Sequence, residues 1–230
     1  MNQSLHLLFL ICCFAFQLNA DVNLPITADE QASLTPGEVL KNLMDGNVRY
    51  MSGETTDPNI EERIPLASNG QFPQAVILSC LDSRVPVELI FDQSIGDIFV
   101  GRVAGNIENE DQLGSMEFAT KVAGSKVIMV LGHQNCGAVK GACDEVELGN
   151  LTALLEKIKP AVEAVEGFEP EDRTSSNPEF VAAVVEENVR QTVADIRTNS
   201  PILSEMEEDG SLLIVGALYS LEDGSVSLLE

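Results

Sequence analysis

The run Ala75-Val76-Ile77-Leu78-Ser79-Cys80 constrains this chain more than any other stretch, because it is apolar on both faces and carries no charge. A strand of that kind is stable only inside a sheet covered on both sides, as central strands of parallel sheets are. Asp97 to Val103, Lys126 to Leu131 and Ser211 to Leu218 also read as strands. Helical patterns lie between them, around Glu88 to Asp92, Asp111 to Ala123, Leu151 to Val165 and Glu179 to Arg197. The alternation predicts an α/β fold, a mainly parallel central β-sheet flanked by helices, with binding groups at the carboxyl ends of the strands.

Ahead of the first strand, Thr35-Pro36-Gly37-Glu38 has the form of a capping box with proline in the first helical position. It predicts a helix bearing Val39, Leu40, Leu43, Met44 and Val48, weakened or ended at Gly46-Asn47 and Gly53. Residues 21 to 33 are expected to be a mobile lead, and Ser52 to Gly70 a loop.

Residues 1–20 contain no Asp, Glu, Lys or Arg, and their apolar run from Leu5 to Leu18 is shorter than a spanning helix needs. Leu18-Asn19-Ala20 offers a cleavage site, so this segment reads as a signal peptide and the product as periplasmic or extracellular. The remaining residues, 21–230, fit one domain. A formal charge of −24, from 37 acidic and 13 basic residues, argues against nucleic acid and anionic membrane surfaces as partners of the mature form.

Removal of the leader leaves Cys80, Cys136, Cys143 and a single histidine, His133. Three cysteines do not make a disulfide scaffold, and metal binding is one way to shield thiolates in an oxidising compartment. Cys80 follows one predicted strand, and His133-x-x-Cys136 follows another. Two thiolates and an imidazole suit tetrahedral Zn2+, and three protein ligands leave one position open, as in catalytic sites. Taken alone, His-x-x-Cys is a weak pattern, and a lone histidine is more often a hydrogen-bonded core or surface residue.

The wider context is more specific. Cys80-Leu81-Asp82-Ser83-Arg84-Val85, followed by Gly132-His133-Gln134-Asn135-Cys136-Gly137, resembles the paired motifs of the β-class carbonic anhydrases. The likeness extends from about Thr35 through Gly105-Asn106 and Ser115-Met116-Glu117-Phe118-Ala119 to Val215-Gly216-Ala217. It implies zinc on Cys80, His133 and Cys136, a catalytic dyad of Asp82 and Arg84, and reversible hydration of carbon dioxide to bicarbonate. It also implies a homodimer or dimer of dimers, with an N-terminal helix reaching across to the partner.

Gln71 matches a substrate-binding glutamine of the plant-like subgroup, and Phe99 and Phe118 match aromatic positions of the carbon dioxide pocket, though core packing would explain both phenylalanines as well. No Trp precedes Cys80, which favours that constitutively open subgroup. Arg102-Val103-Ala104-Gly105-Asn106 departs from the family's frequent Arg-Asn-x-x-Asn. Two thiolate ligands would cancel the ion's formal charge, so activity is expected to grow above neutral pH. Cys143 is expected to be a buried free thiol. The same site could serve carbon disulfide or carbonyl sulfide, whereas a purely structural zinc would need neither Asp82 nor Arg84.

Overall fold

The structure is a computed structural model that describes residues 24–229; the expected signal peptide lies outside the described residues. Along the chain come α1 (Ala28–Ser33), α2 (Pro36–Ser52), α3 (Ile60–Ala67), β1 (Ala75–Ser79), α4 (Val87–Ile90), β2 (Ile98–Arg102) and α5 (Glu110–Glu117). They are followed by β3 (Val127–His133), α6 (Gly137–Cys143), α7 (Gly149–Leu155), α8 (Lys159–Ala164), α9 (Pro178–Asn199), α10 (Pro201–Glu208), β4 (Leu213–Tyr219) and β5 (Val226–Leu228). The sheet order is β2-β1-β3-β4-β5, with the first four strands parallel and β5 antiparallel at one edge.

Side-chain alternation builds the core on both sides of this sheet. Ile77, Met129 and Leu131 point to one face, where Val39 and Leu43 of α2 cover them. Val76, Leu78, Ile128 and Val130 point to the other, against Val189, Val193 and Ile196 of α9. Every residue of β1 and β3 is buried, and each large aliphatic side chain so enclosed contributes about 1.5–3 kcal/mol. Helix α9 approaches β3 so closely that a Cβ on Gly132 would stand 2.5 Å from Val189 Cγ2.

The four predicted strands are all present, with ends displaced by a residue or two. Helix α2 begins as its capping box requires and ends at Gly53, whose φ of 72° gives a left-handed cap. It runs straight through Gly46-Asn47, because both residues are there for packing. Asn47 donates to the Ile90 and Gly224 carbonyls and accepts from Val226 N–H.

Two expectations are overturned. The lead contains α1, capped by Thr27 and Glu30 and pinned by Gln31, whose amide donates to the Pro73 and Ala123 carbonyls. The expected loop contains α3, anchored by Arg63, which is buried against Asp97 at 2.8 Å. Such long-range anchors override weak local propensity. Helix α2 packs on its own sheet, and α1 is tied to the segments that lead into β1 and β3.

Candidate metal centre

The parallel register sets the site. Ser79 of β1 lies beside Leu131 of β3, so Cys80 and His133 emerge together at the carboxyl edge of the sheet. Beyond His133 the chain turns sharply through Asn135, with φ of 54°, and Cys136 caps α6. The Cys80, His133 and Cys136 donor atoms consequently lie within 4.8 Å of one another, all buried. Among the described residues no other such group of His, Cys, Asp or Glu occurs.

The donor geometry fits zinc. Cys80 Sγ and Cys136 Sγ are 3.9 Å apart, and two sulfurs at ~2.3 Å from one tetrahedral ion would stand about 3.8 Å apart. His133 Nδ1 lies 2.8 Å from the Gln134 carbonyl oxygen. A carbonyl only accepts, so Nδ1 carries the proton and Nε2 keeps its lone pair for a metal. Nε2 is buried and has no hydrogen-bond partner; Asn106 Nδ2 is the other such side-chain atom among the described residues.

The thiols tell the same story. Cys136, as hydrogen-bond partner of Cys80 and by burial, is pushed far above the usual thiol range. Cys80 is lowered to about 4 by the Cys136 hydrogen bond, against burial, with help from His133 and from the Gly105 and Asp82 backbone. Two buried thiols in contact resist ionising together, and a divalent cation between them would offset that repulsion.

Asp82 stands at the open side of this triangle, its Oδ2 3.8 Å from His133 Nε2. Arg84 grips it through both prongs of its fork, Nε to Oδ1 at 2.9 Å and Nη2 to Oδ2 at 2.7 Å, and the Arg84 backbone N–H adds a third bond. The Arg84 hydrogen bond outweighs burial and holds the Asp82 carboxyl far below the usual carboxylate range. Asp82 is therefore ionised and can only accept protons in hydrogen bonds.

Phe99 and Phe118 meet edge to face, ring centroids 6.3 Å apart, along a cleft of about 640 Å³ that also reaches Arg102. Phe99 pairs in register with Val76, near the amino end of β1, whereas Arg102 pairs with Ser79 beside the donors. Gln71 precedes the amino end of β1 and is exposed. At about 3.3 Å per residue, Gln71 and the two phenylalanines lie well away from the donors of their own chain. Cys143 is buried and free, its thiol raised to about 11 by burial.

Sequence reasoning did not assign Arg102 a role. Its guanidinium donates from Nε to the Cys80 carbonyl at 2.9 Å and from Nη2 to the Asp82 carbonyl, fixing the turn that carries Cys80, Asp82 and Arg84. Its place at the end of β2, beside β1, was the available signal.

A family model for carbonic anhydrase matches residues 75–226. The chain is similar to carbonic anhydrase 2 of Mycobacterium tuberculosis, 38% identical over 202 residues that cover 85% of this chain and 93% of the relative. Among solved structures it is similar to the β-carbonic anhydrase CcaA, with TM-score 0.65 and 26% identity over 84% of this chain and 89% of that one. The chain belongs to the β class of the carbonic anhydrase family. Its fold also matches tetrameric β-carbonic anhydrases of Sordaria macrospora, TM-score 0.63 at 24% identity over 72% of this chain and 85% of theirs. Carbonic anhydrases of this class are zinc enzymes, and Cys80, His133 and Cys136 are the residues of this chain that fit the ion.

Proposed function

We propose that this chain catalyses the reversible hydration of carbon dioxide to bicarbonate and a proton, as an exported homodimer of the plant-like, open form. One observation carries the reading: the donor triangle leaves a corner free, and that corner faces a carboxylate locked by Arg84. When bound there, zinc acidifies water into a nucleophile near neutral pH. Asp82, ionised and fixed, accepts one proton of that water in a hydrogen bond and thereby aims the oxygen's lone pair at carbon dioxide. The net change would be addition of one water to carbon dioxide, giving bicarbonate and one proton that passes to solvent, with Asp82 held by Arg84 as the orienting acceptor. The bidentate grip of Arg84 opposes rotation of the Asp82 carboxylate toward the donors, which, with no Trp ahead of Cys80, supports the open form.

Strand direction supports the dimer. Strand β2 ends the sheet with an unpaired edge, beside which Phe118 and Val122 are exposed. Antiparallel pairing of β2 with a second copy, about a two-fold axis, reverses the strands. It would bring the partner subunit's Gln71, Phe99 and Phe118 beside this chain's donors and complete an apolar pocket. The same pairing would let the partner's N-terminal helices embrace this chain. Export rests on the uncharged apolar segment of residues 1–20. Among the described residues no helix is long and apolar enough to cross a membrane.

The test is a carbon dioxide hydration assay on zinc-loaded protein, after chelation and after zinc is restored. Activity should vanish and return, and rise above neutral pH. Zinc-dependent turnover of carbon disulfide or carbonyl sulfide without hydration of carbon dioxide would refute the substrate. Sedimentation of wild type and Phe118→Arg reports the dimer, and amino-terminal sequencing of exported protein reports cleavage after Ala20.

A further inference from the structure

We propose that Asn188 is a positioning residue for the metal centre, acting on the Cys80 sulfur by fixing the backbone of Gly105. The inference rests on the reading of Cys80 as a zinc ligand. Gly105 N–H donates to Cys80 Sγ at 3.4 Å, and the Gly105 carbonyl accepts from Asn188 Nδ2 at 2.8 Å. The glycine between these bonds is left-handed, φ 76° and ψ 12°, and Asn106 after it is left-handed too, φ 43°. Consecutive residues in that region persist only where their surroundings hold them.

What holds them is visible. Val103 N–H bonds the Ser79 carbonyl at 3.1 Å, which fixes the start of the segment to β1. Asn188, 3% exposed on the buried face of α9 among Val184, Val185 and Val189, fixes its end. A Cβ on Gly105 would lie 2.5 Å from Ile158 Cδ1, so the backbone approaches the sulfur only because position 105 is glycine. An amide buried on an otherwise valine-lined stretch carries a desolvation cost that packing alone would not demand.

The consequence is electronic and geometric. An N–H bond to a thiolate withdraws electron density from the sulfur, which raises the energy of thiolate-to-metal charge transfer, while the affinity rests on the geometry that the bond imposes. It also fixes the rotamer in which Sγ faces His133 and Cys136. Partners of this kind typically shift metal affinity by about 10- to 100-fold.

The experiment compares full-length wild type with Asn188→Leu, Asn188→Asp and a control, Val193→Ala, which opens a cavity on the same helix away from Gly105. Zinc affinity is read by chelator competition, and the thiolate-to-metal charge-transfer band is read on cobalt-loaded protein. Both Asn188 variants should bind zinc about 10-fold or more weakly and move the band to lower energy, while Val193→Ala loses melting temperature and leaves both readouts in place. Wild-type affinity and an unmoved band in the Asn188 variants would overturn the proposal, as would losses that merely track melting temperature across all three. A readout that needs no variant is scalar coupling between cadmium-113 and the Gly105 amide proton in cadmium-loaded wild type. Its presence supports the bond and its absence overturns it. Failure of wild type to bind zinc at all would instead remove the metal reading on which this one stands.

Discussion

Replacing Arg84 by alanine isolates what the dyad contributes. The variant keeps the backbone bond from residue 84 to Asp82 and loses the two side-chain bonds at 2.9 and 2.7 Å. Charge-assisted bonds of this kind reach about 1.5–3 kcal/mol each when buried, but the Arg84 side chain is 54% exposed. Solvent screening leaves so exposed a pair a restraint on Asp82 worth only about a few-fold in rate. A second effect adds to it. Nitrogen and oxygen ligands of one tetrahedral ion stand about 3.4 Å apart, whereas Asp82 Oδ2 is 3.8 Å from His133 Nε2. A freed carboxylate needs to move only a few tenths of an ångström to compete for the open corner. Stopped-flow hydration with a pH indicator should show kcat/KM down by about 5- to 10-fold at unchanged zinc content, partly restored by added guanidinium. Full zinc occupancy with kcat/KM within about twofold of wild type would refute the reasoning, because no restraint of this size would then exist.

Gly46→Ala should lower the melting temperature: helix propensity favours alanine by about 1 kcal/mol, but its Cβ would be driven into the Phe91 carbonyl oxygen, and a melting temperature at or above wild type would contradict that contact. Arg63→Met should cost about 3–5 kcal/mol in urea unfolding, because it strands Asp97 beside the Ser94 N–H with its charge otherwise unpaired; a loss under about 1 kcal/mol would count against the buried pair. Burial raises the Glu207 carboxyl, but the Arg197 fork at 2.6 and 2.9 Å and the Ile214 N–H outweigh it and bring it below the usual range. A depressed carboxylate contributes stability above its unfolded pKa of about 4.3 and loses it as pH falls through the folded value. Glu207→Gln should therefore cost about 0.5–1 kcal/mol at neutral pH and nothing once both states are protonated, which unfolding curves across acid pH will show.

Local chemistry alone marked the strands, whereas the donor set and the proposed dyad were legible through the resemblance of two paired motifs to a known family. Strands buried on both faces read as unbroken apolar runs, the Thr35 capping box sets the start of α2, and Cys80-x-Asp82-x-Arg84 confines ligand and carboxylate to one turn. Helices α1 and α3 were not legible, since they are held by Gln31 and Arg63 through partners 34 or more residues away. Gly46-Asn47 reads locally as a helix breaker and is instead the place where α2 touches the Phe91 backbone and clamps β5. Only the parallel register of β1 with β3 brought Cys80 to His133, and only the packing of α9 brought Asn188 to Gly105. The physical reason is one of range: propensity and capping act within about one turn of chain, whereas register joins Ser79 to Leu131, 52 positions on, and helix packing joins Gly105 to Asn188, 83 positions on.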